Sequence, residues 1–301
     1  MTHQRESAVV VGVDGSDKDG RTVDWAADEA ASTGATLHIL HCYPVLPVGL
    51  VVDPTVDAEN RAAEVAERCA GRARSRHPEL AVSTEAILED PAVSLVQASR
   101  QARVVVVGAR GVGRIAGRML GSVSQKVAAH AAGPVVVVRD VVRVPRGPVV
   151  VGVDPLDSAP QLLDFAYTEA ARRGVRLRLV HALGQYANDP WGREVRAALA
   201  EHQARALAQL VDDCAGRYPE VRVEVFERIG HPVDVLTAES ATAGLLVVGS
   251  RGRTGLTGLR LGSVARGVLH EAPVVAVVRV APAPETDHGP RPRARSSGPK
   301  N

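Results

Sequence analysis

The chain has 301 residues, 45% of them hydrophobic and 23% charged, with a formal net charge of +2 at pH 7. This balance predicts about two globular domains and excludes a disordered chain. No apolar run approaches the roughly 20 residues of a membrane-spanning helix, and the charge offers no basic face for nucleic acid. The polar residues 1–7 lead directly into a strand and do not form a signal peptide. We therefore expect a cytoplasmic protein that binds neither a membrane nor nucleic acid.

In chain order, short apolar runs alternate with longer amphipathic runs. In the first half we predict strands at 8–13, 36–41, 81–88, 103–107 and 134–138, and helices at 19–33, 56–76, 91–101 and 122–131. The runs at 104–107 and 135–138 are apolar throughout, which is typical of strands buried on both faces. Alternating strands and helices of this kind predict an α/β fold with a parallel, doubly wound sheet.

The second half of the chain repeats the first at an offset of 140 to 141 residues. Val9–Asp14 resembles Val149–Asp154, and Leu37–His41 resembles Leu177–His181. A period of this length indicates a duplicated domain. The predicted divisions are 1–142 for the first domain, 143–281 for the second, and 282–301 for a disordered tail rich in Pro and Arg.

Each copy is organised around a glycine-rich loop between a strand and a helix. The motifs are Gly108-Ala109-Arg110-Gly111 with Gly121-Ser122, and Gly249-Ser250-Arg251-Gly252 with Gly262-Ser263, each separated by nine residues. Glycine permits positive φ and a close approach of backbone to ligand, and the two serines are expected to be N-caps. The free amides of a helix N-terminus bind phosphate. A plain turn is the alternative, but two copies with identical spacing favour a phosphate site.

Two other phosphate motifs are excluded by the residues that follow. Arg114-Ile115 stands where a P-loop requires Lys-Ser or Lys-Thr, and no G-x-G-x-x-G fingerprint is present. Three cysteines without C-x-x-C spacing argue against a disulfide framework and against a zinc site.

The pattern G-x-x-G, nine residues, G-S, together with Val9–Ser16, resembles the ATP-binding universal stress protein family. The resemblance covers nearly the whole chain as two tandem copies. It implies two Rossmann-like domains of the adenine nucleotide alpha hydrolase type, each with a five-stranded parallel sheet of order 3-2-1-4-5 and helices on both faces. It also implies one ATP in each domain, a role in stress or dormancy responses, a homodimer and an unknown downstream protein.

The apolar fifth strands of the two copies, 135–138 and 274–278, would be exposed sheet edges. Because an unpaired apolar edge is an aggregation hazard, we expect these edges to pair with each other, within one chain or between chains.

With the strand order of the family, the ligand crevice lies at the carboxyl ends of strands 1 and 4. Asp14 and Asp154 end strand 1, where they are candidates to bind a ribose, a base or a phosphate-bound Mg²⁺. For Asp14 the alternative is the first residue of an Asp-Gly turn. His41 and His181 end strand 2 and are candidates to pack beside the adenine, although a satisfied polar residue at a strand end is the favoured alternative.

The full set of expected nucleotide contacts follows from the motifs and the resemblance. In the first copy it comprises Gly12, Val13, Asp14, His41, Val107, Gly108, Arg110, Gly111, Gly121, Ser122 and Val123. In the second copy it comprises Gly152, Val153, Asp154, His181, Val248, Gly249, Arg251, Gly252, Gly262, Ser263 and Val264.

ATP hydrolysis requires a positioned water, a base and usually a metal clamp. Only Asp14 and Asp154 are candidates for these roles, so we expect a regulatory protein with slow hydrolysis at most. Two other functions remain open: an enzyme that uses an adenylated substrate, and an interaction module with weak nucleotide binding. Asp154-Pro155-Leu156 lacks the Gly-Ser of the first copy, which places the contacts of the second site in question. The loop at 44–60 either covers the nucleotide or docks on the other domain.

Overall fold

A computed structural model describes the protein at residues 8–43, 55–111, 120–139, 146–155, 160–183, 193–250 and 261–280. The predicted domain boundary at 142/143, the tail at 282–301 and most of the loop at 44–60 lie outside these ranges. Among the described residues, no helix is long and apolar enough to cross a membrane.

The elements of the first copy follow the predicted alternation. They are β1 (Val9–Val13), α1 (Asp19–Thr33), β2 (Leu37–Tyr43), α2 (Thr55–Arg76), β3 (Val82–Leu88), α3 (Pro91–Ala98), β4 (Val104–Gly108), α4 (Ser122–His130) and β5 (Val135–Val138). The second copy comprises β6 (Val149–Gly152), α5 (Pro160–Arg173), β7 (Leu177–Leu183), α6 (Arg193–Ala215), β8 (Val223–Ile229), α7 (Pro232–Ser240), β9 (Leu245–Gly249), α8 (Ser263–Glu271) and β10 (Val274–Val278).

Helix α3 is shorter than the predicted 91–101. It begins after Asp90, whose carboxylate accepts hydrogen bonds from two first-turn amides, with Pro91 at the first helical position. It ends at Ala98, and the amides of Arg100 and Gln101 then bond to carbonyls three residues back, as in a tighter final turn.

All ten strands belong to one sheet, of order β3-β2-β1-β4-β5-β10-β9-β6-β7-β8. Within each copy the strands are parallel and follow the predicted order 3-2-1-4-5. The two copies join through β5 and β10, which pair antiparallel with Val138 opposite Val274. This pairing confirms the expectation that the apolar fifth strands cover one another, and it occurs within the chain.

Helices cover both faces of the sheet because side chains alternate along each buried strand. Val9, Val11 and Val13 face one core, which contains Trp25 and Ala26 of α1. Val10 faces the other core, with residues of α3 and α4.

Charged side chains also join the two copies across their junction. Arg139 donates to the carbonyl of Leu269 near the end of α8, and Arg279 donates to the carbonyls of Ala129 and Ala131 at the end of α4. A cation at a helix C-terminus is favourable because the last carbonyls lack intrahelical partners. The two arginines therefore connect each copy to a helix of the other.

Candidate functional site

The candidate site of the first copy lies at the carboxyl ends of β1 and β4. These strands are neighbours, with Gly12 opposite Val107, so the segments following them meet at one edge of the sheet. Gly111 lies directly against the carboxylate of Asp14, because a Cβ built on Gly111 would overlap Asp14 Oδ2. The structure thus brings together the strand-1 aspartate and the glycine motif, as the sequence predicted.

The turn from β1 to α1 is closed by two carboxylates. Asp14 Oδ1 accepts a hydrogen bond from the Ser16 amide at 3.0 Å. Asp19 accepts from the amides of Asp14 and Gly15, at 3.3 Å and 2.7 Å. Gly15 has φ of 84°, which favours glycine. Asp14 therefore has the turn role that was its alternative interpretation, and its carboxylate still borders the crevice.

Asp19 is a site residue that sequence reasoning missed. Burial, and after it the neighbouring charge of Asp14, raise the pKa of its carboxyl from 3.8 to about 6, against the opposing effect of the hydrogen bonds from the amides of Asp14 and Gly15. The sequence feature that could have identified Asp19 was its position, five residues after Asp14 and at the first residue of the helix, where acidic side chains are favoured. The repeat places Ala159 at the equivalent position of the second copy.

The loop after β4 is fixed by backbone hydrogen bonds on both sides. The Ala109 amide donates to Val138, and the Gly121 amide donates to Ala109, both at 2.8 Å. Ser124, in the first turn of α4, donates its hydroxyl to the Gly108 carbonyl at 2.6 Å. These contacts hold the first turn of α4 directly beside the end of β4. Residues 112–119 lie outside the described part.

The N-cap prediction for the two serines is wrong. The N-cap residues are Gly121, with φ −66° and ψ 150°, and Gly262, with φ −68° and ψ 161°. The helices begin at the serines, and neither N-cap makes a side-chain capping hydrogen bond. Since glycine has no side-chain oxygen to offer the first-turn amides, an external acceptor can bind there.

Positive φ, which glycine permits, does not occur at the described glycines of the two motifs, Gly108, Gly111, Gly121, Gly249 and Gly262. The close approach of a ligand to these glycines stays a prediction, and the structure describes their contacts with protein atoms. A Cβ on Gly108 would lie 3.2 Å from Thr22 Oγ1 and 3.3 Å from the Arg110 carbonyl oxygen. A Cβ on Gly121 would lie 3.4 Å from the Ala109 carbonyl oxygen.

The second copy repeats this loop geometry. The Ser250 amide donates to Val278, and the Gly262 amide donates to Ser250, both at 2.8 Å. Gly249 ends β9, and Asp154 follows β6 in the same crevice position. Arg251 and Gly252 lie outside the described residues, so their predicted contacts stay predictions.

Basic side chains border the first loop. A cleft beside Gly108 and Ala109 is lined by Lys18, Arg21 and Arg110, together with Arg139. Clefts lined by one sign of charge raise the local concentration of oppositely charged ligands. The cleft therefore gives the first loop a basic surrounding, and it adds Lys18 and Arg21 to Arg110, which was predicted from the sequence.

The two glycines of the first strands have a packing role that the sequence analysis did not assign. A Cβ on Gly12 would lie 2.8 Å from Leu95, and one on Gly152 would lie 2.7 Å from Leu236. Each glycine therefore lets a helix pack closely on the strand. Four predicted valines, Val13, Val107, Val153 and Val248, are buried beneath the two crevices, and Val123 and Val264 are partly buried against the core of α3, α4, α7 and α8.

The two histidines differ in their partners. His41 is buried, and its Nδ1 donates to the Val13 carbonyl at 2.8 Å. His181 is also buried, with Nδ1 3.6 Å from Glu227 Oε1. His41 thus has the satisfied strand-end environment favoured above, and contact of either ring with adenine stays a prediction.

The described residues contain no group of three or more His, Cys, Asp or Glu side chains suited to a metal. Asp14 and Asp19 nevertheless place two carboxylates together in the first site. Mg²⁺ in nucleotide sites is typically held by one or two carboxylates plus the phosphates, so these two residues fit a phosphate-bound Mg²⁺. In the second copy Ala159 stands at the position of Asp19, and Asp154 is the carboxylate that the described residues place at the end of the first strand.

Comparison with known proteins agrees with the glycine motifs. A family model described as the universal stress protein family matches residues 7–139 and 145–279. A universal stress protein of Mycobacterium tuberculosis is 32% identical over 301 residues, covering 90% of this chain and 95% of the relative. Another, from Mycolicibacterium smegmatis, is 34% identical over 288 residues, covering 90% and 97%.

Solved structures share the fold. A universal stress protein from Archaeoglobus fulgidus superposes with a TM-score of 0.66 at 21% identity, covering 92% of this chain and 97% of that one. The family match spans both copies, and the relatives match along nearly their whole length. The resemblance drawn from the glycine motifs is therefore confirmed, and the chain belongs to the universal stress protein family.

Proposed function

We propose that each copy binds one ATP at the carboxyl ends of its first and fourth strands, and that nucleotide occupancy is the signal of a regulatory protein in stress or dormancy. The observation that carries the proposal is the duplicated loop geometry. In both copies a glycine N-cap without a side-chain acceptor opens a helix at the end of the fourth strand. Phosphate oxygens complete the hydrogen bonds of such amides and interact favourably with the helix dipole.

The remaining parts of the nucleotide are assigned by position. The phosphates contact Gly108, Gly111 and Gly121 with the α4 amides, and the adenosine lies toward Val13 and Asp14. A carboxylate at this place accepts hydrogen bonds from ribose hydroxyls. The cleft with Lys18 and Arg21 offsets part of the phosphate charge. The equivalent residues of the second copy have the same roles.

We propose that Mg²⁺ accompanies the nucleotide at Asp14 and Asp19 in the first copy and at Asp154 in the second. The ion would offset phosphate charge that otherwise faces these carboxylates. Fast hydrolysis is not expected, because Asp14 is engaged by the Ser16 amide and lies in a turn held by Asp19. A general base needs its carboxylate directed at a water aligned with the γ-phosphate.

We further propose that the protein is cytoplasmic and forms a homodimer that acts on a downstream protein. Since β5 and β10 already pair with each other, the dimer would use another surface, such as the edge strands β3 and β8.

The test is to denature the purified protein and to identify released nucleotide by chromatography, followed by calorimetric titration of nucleotide-free protein. We expect ATP, with up to two bound per chain. Release of a flavin or a nicotinamide cofactor, or the absence of saturable ATP binding after removal of endogenous ligand, would contradict the proposal.

A further inference from the structure

A second cavity lies away from both crevices. It has a volume of about 370 Å³ and runs along α3 over β2 and β3, reaching the amino-terminal ends of β1 and β4 at Ala8 and Ala102. Its floor is apolar, with Val10, Leu40 and Ile87. The cavity belongs to the α3 face of the sheet and is separate from the glycine loops.

The rim of this cavity is polar and predominantly acidic. Glu85 and Glu89 are half-buried, and His38 bridges Ser83 and Glu85 through its two ring nitrogens, both at 3.0 Å. Arg100, which is exposed, is the basic residue that also lines the cavity. An occupant with a cationic head and an aliphatic stem suits an apolar floor with carboxylates above it.

At the equivalent place in the second copy, that copy's own side chains contact one another. The guanidinium of Arg178 lies 5.5 Å from the centre of the Phe226 ring, and that of Arg228 lies 4.6 Å from it. Glu239 on α7 pairs with Arg228 at 3.1 Å and with Arg178 at 3.7 Å. In the second copy, Arg178 and Arg228 therefore lie over the sheet beside α7.

The repeat offset shows why the first copy leaves this place open. In the repeat, His38 corresponds to Arg178 and Glu85 to Phe226. Ile87 corresponds to Arg228, and Ala98 to Glu239. Both arginines and the aromatic ring are absent, and a carboxylate replaces the ring. The first copy therefore lacks the guanidinium groups that complete this surface in the second.

The last described residues of the chain end close to this cavity. Arg279 donates to the carbonyls of Ala129 and Ala131, and the Ala132 amide, which shares its peptide group with the Ala131 carbonyl, donates to Ser99 Oγ at 2.9 Å. A Cβ on Gly133 would lie 3.0 Å from the Ser99 carbonyl oxygen and 3.7 Å from that of Ala102. Ala102 lines the cavity. The chain thus leaves the fold near the end of the cavity formed by α3.

We infer that residues 281–301 of this chain occupy the cavity, with an arginine of the segment over the apolar floor and its guanidinium at Glu85 and Glu89. The segment has 21 residues, and its charged groups are Arg291, Arg293, Arg295 and Lys300 against Glu285 and Asp287, a net charge of +2. Eleven extended residues from Val280 to Arg291 span up to ~36 Å. Attachment to the same chain also gives a high effective concentration.

Trypsin cleavage of the full-length protein tests this inference. Arg293 and Arg295 are followed by Ala294 and Ser296, so both sites are cleavable when the segment is free. The rates are measured by mass spectrometry in the wild type and in the double variant Glu85→Gln, Glu89→Gln. We expect cleavage at least about fivefold faster in the double variant, because a lost charge-assisted hydrogen bond commonly corresponds to a factor of ten or more.

The matched control is Glu220→Gln, which removes one exposed carboxylate from the second copy and should leave the rates unchanged. A second variant fills the cavity with the second copy's residues: His38→Arg, Glu85→Phe, Ile87→Arg. It should release the segment as the double variant does. Raising the salt from about 50 to about 500 mM should accelerate cleavage of the wild type and have little effect on either variant.

Equal rates in the wild type and the double variant would overturn the inference. Protection that depends on protein concentration would also overturn it, by showing that the segment docks on a second copy. Faster cleavage after Arg5, with unchanged rates at Arg293 and Arg295, would assign the cavity to residues 1–7 instead.

Discussion

Replacing Gly111 with glutamate places a further carboxylate beside Asp14 and among the phosphates of the proposed first site. The new Cβ alone would overlap Asp14 Oδ2, so the aspartate must move. Two unit charges about 4 Å apart repel by roughly 4 kcal/mol at an effective dielectric constant of ~20. Since 1.4 kcal/mol is about tenfold, the affinity for ATP at this site should fall by about three orders of magnitude.

Calorimetric titration measures the effect as a stoichiometry. Gly111→Glu should bind one ATP per chain instead of two, Gly252→Glu should also bind one, and the combined variant should bind none. Gly216→Glu is the matched control, because its Cβ meets no atom within 4 Å and it adds the same charge. Gly111→Ala adds the overlap without the charge, so its affinity should fall between the wild type and Gly111→Glu.

Two results would refute this reasoning. One is full stoichiometry in either single glutamate variant with an unchanged circular dichroism spectrum, because that glycine loop would then not be a phosphate site. The other is an equal loss of affinity in the Gly216→Glu control, because the effect would then come from net charge and not from the crevice.

Three other predictions concern the fold. Arg173→Ala should lower the free energy of unfolding in urea by roughly 1.5 to 3 kcal/mol, because it removes the 2.7 Å ion pair of buried Glu29 while Arg172 still pairs with that carboxylate. Exposed Arg205→Ala should cost under ~0.5 kcal/mol, and equal losses would contradict this. In the folded protein the pKa of Asp19 is raised from 3.8 to about 6, so the folded state binds a proton more tightly and the contribution of Asp19 to stability falls as the pH rises from about 4 to about 6. In Asp19→Asn the free energy of unfolding in urea should therefore depend less on pH across this range. Val136→Pro, in a strand paired on both sides, should lower the calorimetric melting temperature clearly, and an unchanged value would show that the junction does not stabilise the protein.

Much of the fold could be predicted because its signals are local in sequence. Continuous valine runs identified the buried strands, and the predicted helix at 19–33 coincides with α1. Gly34 and Gly174 end helices α1 and α5 with φ of 62° and 59°, a conformation that glycine adopts readily. The strand order itself came from the family resemblance, because no local pattern determines which parallel strands are neighbours.

The capping error has a physical reason. Serine is a frequent N-cap, but the cap position is defined by backbone conformation, and here the extended residue is the glycine before each serine. In the first copy a different serine, Ser124, bonds to the Gly108 carbonyl. That bond crosses from helix to strand, so sequence spacing within the helix could not predict it.

The charged contacts of the junction could not be predicted from either copy alone. Glu29 and Glu169 are equivalent in the repeat, and each is almost fully buried. Arg172 and Arg173, both from the second copy, pair with these two glutamates. The first copy has Ser32 and Thr33 in the equivalent positions. A buried glutamate repeated on an otherwise apolar helix face was the available signal.

A comparison of the two copies separates the features that both keep from those that differ between them. The loop hydrogen bonds after β4 and β9 are the same in both copies, although Ala109 is replaced by Ser250, because they depend on backbone groups alone. Side-chain features differ instead: Ala159 stands in place of Asp19, and two arginines, Arg178 and Arg228, stand where the first copy has His38 and Ile87 beside its acidic cavity. The backbone geometry that we propose to bind phosphate is therefore independent of these changes, whereas the carboxylate pair of Asp14 and Asp19 and the acidic rim of the cavity along α3 belong to the first copy.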